Sequence, residues 1–290
     1  MKKRLAILLT IFLCATAVAM GKNNKNAVAA PAAPQIPDYS AYILTPPAPL
    51  TPRINSAKVF GVRPNAEILY TIAATGERPM TFSAEGLPKG VTLDAATGQI
   101  TGRLAERGTY NITLTATNAK GSNSRELRLV VGDRIALTPP MGWNSWNCWG
   151  PTVTQEKVLE SARAMVEQGL SDYGWSYINI DDGWQGKRGG ENNAIQPNYK
   201  FPDMKALADQ IHAMGLKFGI WYEPEMISPD SDLYRAHPEW ALRVEGREPL
   251  RSRHQLVLDM ANDEVVEYLM AMFDKTFEDG FEKSTSDSIV

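Results

Sequence analysis

Two adjacent carboxylates, Asp181 and Asp182, close the short apolar run Tyr177-Ile178-Asn179-Ile180 and are followed by Gly183 and Trp184. Such a run reads as a strand of a parallel sheet, and parallel barrels keep their chemistry at the carboxyl ends of their strands. Paired acids at that point accept hydrogen bonds from neighbouring hydroxyls of one small polar ligand. The indole of Trp184 beside them offers a flat face to the apolar side of a sugar ring. Asp and Gly are equally turn and cap residues, so the octapeptide alone supports a tight turn as well as a site.

The elements that would position these acids follow a βα rhythm after Gly132. Met141–Trp146 is a first strand. Thr152-x-x-Gln155 has the capping-box pattern and precedes a helix with Val158, Leu159, Ala162, Met165 and Val166 on one face, ending at Gly169. Tyr177–Asp181 is the second strand. A helix after Pro202 aligns Met204, Leu207, Ala208 and Ile211 and stops at Gly215, and Lys217–Trp221 is the third strand. A last helix near Glu264–Phe277 aligns Val266, Leu269, Met270, Phe273 and Phe277. Strands alternating with helices imply a parallel sheet.

Upstream the composition changes. The chain has 290 residues, enough for two domains. Its net charge of −3 and the lack of a basic stripe argue against nucleic acid as a partner. Lys2-Lys3-Arg4, the apolar run Leu5–Val18 and Ala17-Val18-Ala19 read as an export signal over residues 1–19 and a periplasmic or extracellular destination. The run is too short for a stable membrane span. A lipoprotein reading at Cys14 is weakened by the bulky Leu13. After cleavage Cys148 is the remaining cysteine, so no internal disulfide is expected. Residues 20–52 form a Pro/Ala-rich linker, with seven prolines between Pro31 and Pro52. Residues 53–132 alternate with period two: Tyr110, Ile112, Leu114 and Ala116, then Leu127, Leu129 and Val131, joined by a turn at Asn118–Gly121. Strands at this spacing suit a small β-sandwich. Its acids lack calcium-loop spacing.

Two resemblances sharpen this outline. Gly86-Leu87-Pro88-x-Gly90-Val91-x-Leu93-Asp94, Thr97-Gly98-Gln99-Ile100-Thr101-Gly102 and Gly108-x-Tyr110 resemble the immunoglobulin-like modules of bacterial surface and secreted proteins, which implies fold rather than function. Pro139-Pro140-Met141-Gly142-Trp143-Asn144-Ser145-Trp146, the run Tyr177–Trp184 and Phe201-Pro202-Asp203-Met204-Lys205 resemble the catalytic barrel of melibiase-type α-galactosidases. That resemblance implies that Asp181 and Asp182 bind the O4 and O6 hydroxyls of galactose and that Trp143 lines the sugar pocket. Core packing is the alternative for Trp143, and the preferred reading for Trp146 and Trp149.

From Trp221 onward the chain resembles a second, related α-galactosidase family of larger bacterial enzymes. The motifs are Trp221-Tyr222-Glu223-Pro224-Glu225-Met226, Ser228–Pro238 and Arg253-His254-Gln255-Leu256-Val257-Leu258-Asp259. This implies sugar contacts from Trp221 and Arg253, although His254 stands where that family usually has Asn. A structural ion pair of Arg253 with Asp259 or Glu225 is the competing reading.

The expected architecture is multidomain. An all-β immunoglobulin-like sandwich (53–132) is followed by a partial TIM-type α/β barrel of about three βα units (133–290). A complete barrel needs eight units, so the chain reads as the front part of a longer enzyme. Retaining glycosidases use two carboxyls, one as nucleophile and one as acid/base. The Lys-x-Asp pattern that carries the nucleophile in both resembled families does not occur here. The polar tail Glu282–Val290 with Asp287 is no substitute, so no catalytic residue is assigned and both are expected beyond the chain end. The function implied is hydrolysis of terminal α-D-galactosides with retention, needing no metal or organic cofactor and acting on galactose-containing oligosaccharides or polysaccharides. Related α-N-acetylgalactosaminides and β-L-arabinopyranosides stay open, as does oligomeric state. A non-catalytic carbohydrate-binding or surface module is the alternative.

Overall fold

The structure is a computed structural model that describes residues 38–189 and 194–280, with side chains in the last helix through Asp274. The export signal, the linker up to residue 37, the tail from residue 281 and the Phe277 side chain lie outside the described residues.

Alternation along residues 53–131 produces nine strands: β1 (Arg53–Ile54), β2 (Val59–Val62), β3 (Glu67–Thr71), β4 (Ala74–Thr75), β5 (Thr81–Glu85), β6 (Val91–Leu93), β7 (Gln99–Arg103), β8 (Gly108–Asn118) and β9 (Gly121–Val131). They form a four-stranded sheet of order β2-β9-β8-β5, a three-stranded sheet of order β3-β7-β6 and the pair β1-β4. Ile112, Leu114, Leu127 and Leu129 of the β8–β9 hairpin pack with Ile68, Ile72 and Ile100 into one buried core shared by both sheets. The hairpin closes through Ala119-Lys120, in register Asn118↔Gly121, as the turn residues predict. Contacts reach back to Leu50, whose carbonyl accepts from Glu77 N at 2.9 Å and Asn118 Nδ2 at 2.8 Å.

The remaining described chain runs β10 (Gly142–Asn144), α1 (Trp146–Trp149), α2 (Gln155–Glu167), β11 (Tyr177–Ile180), β12 (Gln185–Gly189), β13 (Ala194–Pro197), α3 (Met204–Ala213), β14 (Lys217–Ile220), β15 (Met226–Ile227), α4 (Asp232–Ala236), β16 (Arg251–Ser252), β17 (Gln255–Val257) and α5 (Asp263–Gly280). The three expected strands pair in parallel in the order β10-β11-β14. α2 and α3 cover them with Val158, Ala162, Met165, Met204, Leu207, Ala208 and Ile211, all buried. No closed barrel forms among the described residues. Two antiparallel additions, β12-β13 and β15-β17-β16, have no counterpart in the sequence reading.

Several local expectations need correction. α2 is capped by Thr154, whose hydroxyl accepts from Lys157 N at 3.3 Å. Thr152 instead donates to Trp149 O, and Gln155 Oε1 accepts from Asp203 N at 3.0 Å. The supposed capping box is therefore not one. Val166 is exposed. On α5 the buried face is Val265 and Leu269 with Met272 packed against it, whereas Val266 and Met270 are exposed. Trp146 and Trp149 are also exposed rather than core.

The sandwich meets the amino ends of the parallel strands. Asn55 Nδ2 donates to Asp172 O at 2.9 Å, Thr71 Oγ1 to Gly215 O at 2.7 Å and Gln99 Nε2 to Ala213 O at 3.2 Å. Arg78 pairs with Asp172 at 2.7 Å. At the centre lies Lys217, 8% exposed, its ammonium 5.0 Å from the Phe60 ring and 5.2 Å from the Tyr177 ring. Burial pushes its pKa down to about 8.

Candidate sugar-binding site

The carboxyl end of β11 opens away from the sandwich. It is held by the last residue of β10 and the one after it: Asp181 N donates to the buried Ser145 Oγ at 2.9 Å, and Asn144 Nδ2 donates to Asp181 Oδ2 at 2.9 Å. The acids also serve the turn. Asp181 Oδ1 accepts from Asp182 N at 2.8 Å, and Asp182 Oδ1 accepts from Gly183 N at 2.7 Å. Gly183 has φ of +100°, and a Cβ there would stand 3.2 Å from Pro151 Cα, so this sharp turn favours glycine. Both readings of the octapeptide therefore hold at once. Asp181 spends both oxygens on protein donors, while Asp182 Oδ2 takes no hydrogen bond from the described residues.

Trp184 does not offer its face to a ligand. It is fully buried, its Nε1 donates to Trp221 O at 2.9 Å, and its ring meets Tyr222 edge-on at 5.5 Å. Tyr222 in turn meets Phe273 of α5 edge-on at 5.0 Å. This aromatic series fixes the strand end after β14, and with it the backbone of Trp221. The sequence placed Trp184 beside the acids correctly, but a single strand does not reveal which way the next indole turns.

A cavity of about 1130 Å³ lies over this end of the sheet, lined among others by Asp182, Gln185, Arg188, Trp221, Glu223 and Arg253. Asp182, Trp221 and Arg253 thus share one cavity. Trp143 and Asp181 are not part of that lining; Trp143 packs partly buried against the core beneath. Arg253 neighbours Glu223, at 3.8 Å, rather than Asp259 or Glu225. Glu223 was the missed residue, although its position two residues past the strand-end Trp221 is the signal that marks it. Arg188 and Gln185 come from the unforeseen β12.

Arg253 and His254 are the central pair of the two-residue β16–β17 turn, with φ of 49° and 66°. A hairpin turn with both central residues at positive φ prefers Asn and Gly. The Asn usual at position 254 in the resembled family fits that backbone requirement, so its replacement by His need not remove a sugar contact. The assembled groups can accept from a hydroxyl (Asp182), donate to one (Arg253) and face an apolar ring surface (Trp221), which is the combination that binds a small polyol. Among the described residues no group of three or more His, Cys, Asp or Glu is placed to hold a metal ion.

A family profile described as "Melibiase" matches residues 115–281, and one described as "Putative Ig domain" matches residues 41–132. Alpha-galactosidase A of Cellvibrio japonicus is 50% identical over 91 residues, 31% of this chain and 22% of that protein. The bifunctional alpha-galactosidase/sucrose kinase AgaSK of Mediterraneibacter gnavus is 39% identical over 137 residues, 45% of this chain and 14% of that protein. A crystal structure of a "putative alpha-galactosidase" from Bacteroides fragilis superposes with a TM-score of 0.60 at 34% identity, covering 82% of this chain and 51% of that one. The chain thus spans less than a quarter of these two curated relatives. The melibiase profile runs unbroken through residue 221, so one family covers both sets of motifs. Matched over more than half its length, from the sandwich hairpin to the last helix, this chain belongs to the melibiase family.

Proposed function

We propose that this chain carries the galactose-recognition end of an α-galactosidase, an enzyme that hydrolyses terminal α-D-galactosides with retention of configuration. The observation that carries the reading is the convergence of Asp182, Trp221 and Arg253, from three separate segments, on one cavity at the carboxyl end of a parallel sheet. Asp182 receives the sugar's hydroxyls through its open oxygen, with Asp181 holding the turn and, as the resemblance implies, contributing to the same pair. Trp221 faces the ring and Arg253 donates from the β16–β17 turn, while Trp143, which the resemblance assigns to the pocket, packs against the core beneath the cavity. Nucleophile and acid/base are not assigned to any residue of the 290. We further propose that residues 1–19 direct export, that residues 20–52 act as a spacer, and that the sandwich (53–132) and the βα part (133–290) are distinct domains.

The test is calorimetry of the chain with galactose and with glucose, its C4 epimer. Galactose is expected to bind detectably better, and Asp182→Ala to remove the difference, because a site built to pair a hydroxyl loses that pairing. Equal binding of the two sugars, or an unchanged preference in Asp182→Ala, refutes the assignment. On a chromogenic α-galactoside the 290-residue chain should show only background turnover; robust hydrolysis would mean a nucleophile is present that this reading overlooks.

A further inference from the structure

A second cleft, of about 680 Å³, lies on the sandwich, remote from the sugar cavity in its lining residues. Three ties build it by clamping residues 53–59 along β9. Ile54 N donates to Asn123 Oδ1 at 2.9 Å, Arg125 Nη1 to Ser56 O at 2.8 Å, and Arg128 N to Lys58 O at 2.9 Å. The second and third ties bring Arg125, Arg128 and Lys58 to the cleft. Arg53, Lys58, Arg125 and Arg128 line it against a single acid, Glu126. None of the four forms an ion pair with a described carboxylate, although the chain as a whole carries net charge −3. Unpaired cations collected in a concave, polar place are a field that concentrates anions.

The lining decides the class of ligand. It contains no aromatic side chain, so it lacks the stacking platform that both neutral sugar rings and unpaired bases use. What it offers is guanidinium forks and an ammonium for carboxylate or sulfate oxygens, with Asn123 and Ser124 beside them for hydroxyls. We propose that this cleft binds an acidic polysaccharide, a chain of sugars bearing carboxylate or sulfate groups. It would let the sandwich hold a polymer that the sugar cavity does not itself recognise. The site does not depend on the galactose reading.

Affinity electrophoresis of the full chain tests it, with polygalacturonate, dextran sulfate or neutral dextran in the gel. Retardation is expected with either acidic polymer and not with dextran, and is expected to weaken with salt. Polygalacturonate alone would assign carboxylates as the ligand groups, dextran sulfate alone sulfates. Lys58→Gln with Arg128→Gln, both exposed side chains, should weaken binding at least tenfold. Lys89→Gln with Lys187→Gln, the same charge change elsewhere, and Asp182→Ala should leave it unchanged. No retardation by either polymer overturns the proposal. So does equal loss in the Lys89/Lys187 control, loss in Asp182→Ala, or tighter binding to DNA than to both polymers.

Discussion

Replacing Lys217 by Met is expected to stabilise the protein. The ammonium is buried where the sandwich meets the parallel sheet, between the Phe60 and Tyr177 rings, with no described carboxylate in ion-pairing distance. Its pKa falls from 10.5 to about 8, and at 1.36 kcal/mol per unit the buried charge costs about 3 kcal/mol. The two rings return about 0.5–2 kcal/mol by cation–π attraction. Met keeps the stem's packing without the charge, so a net gain of about 1–2 kcal/mol at pH 7 follows. The sign with pH is fixed by the depressed value. Below about pH 8 both states hold the proton and the folded state bears the full cost. Between about 8 and 10.5 the unfolded chain binds more protons than the folded one, so wild-type stability rises with pH and the variant's advantage shrinks. Tyr70, pushed up to about 12 by burial, acts oppositely, removing stability as pH climbs past 10, but equally in both proteins. Urea unfolding of wild type and Lys217→Met at pH 7 and pH 9.5 measures this. A variant with the lower midpoint at pH 7, or an advantage that grows with pH, refutes the reasoning.

Other outcomes follow from the same structure. His254→Gly should raise stability by about 1 kcal/mol, since position 254 sits at φ of 66° in the β16–β17 turn; a lower urea midpoint would contradict the turn assignment. Trp184→Ala should cost about 3–5 kcal/mol as a core truncation, and a near-neutral midpoint would put that indole back among the ligand-facing groups. Thr154→Ala should cost about 1 kcal/mol by uncapping α2, which thermal unfolding by circular dichroism would register.

The fold was legible wherever pattern and packing agree. The alternation of β8 and β9 needs only one buried face, and Ile112, Leu114, Leu127 and Leu129 all take it. Strands β11 and β14 were equally plain because their apolar runs end at an acid and an aromatic, whereas the first strand stops at Asn144, short of the expected Trp146, because Trp146 opens α1. α5 shows where pattern fails. Val265, Leu269 and Met272 satisfy helical spacing as well as Val266, Leu269, Met270 and Phe273 do, and only the surface beneath decides between them. The cap of α2 shifted by two residues because Thr152 and Thr154 are both good caps, Thr152 is taken by Trp149 O three residues before it, and Gln155 by Asp203 N, 48 residues away. At the site, residue types were readable but orientation was not. The direction of Trp184 depends on Trp221 O, 37 residues away, and the partner of Arg253 depends on a turn whose backbone the sequence disguises with Arg and His.

The seam between sandwich and βα units has a further meaning. Three of its hydrogen bonds end on main-chain carbonyls, those of Asp172, of Ala213 at the end of α3 and of Gly215, in the segments that lead into β11 and β14. A carbonyl is the same whatever side chain its residue carries. The sandwich therefore grips the course of these turns more than their chemistry, and the helices and loops beyond them can diverge without loosening that grip. Such a seam suits exchange: a sandwich of this kind could be grafted beneath another barrel whose turns follow the same path, with Lys217 and the Arg78–Asp172 ion pair the junction side chains that would have to be matched or removed.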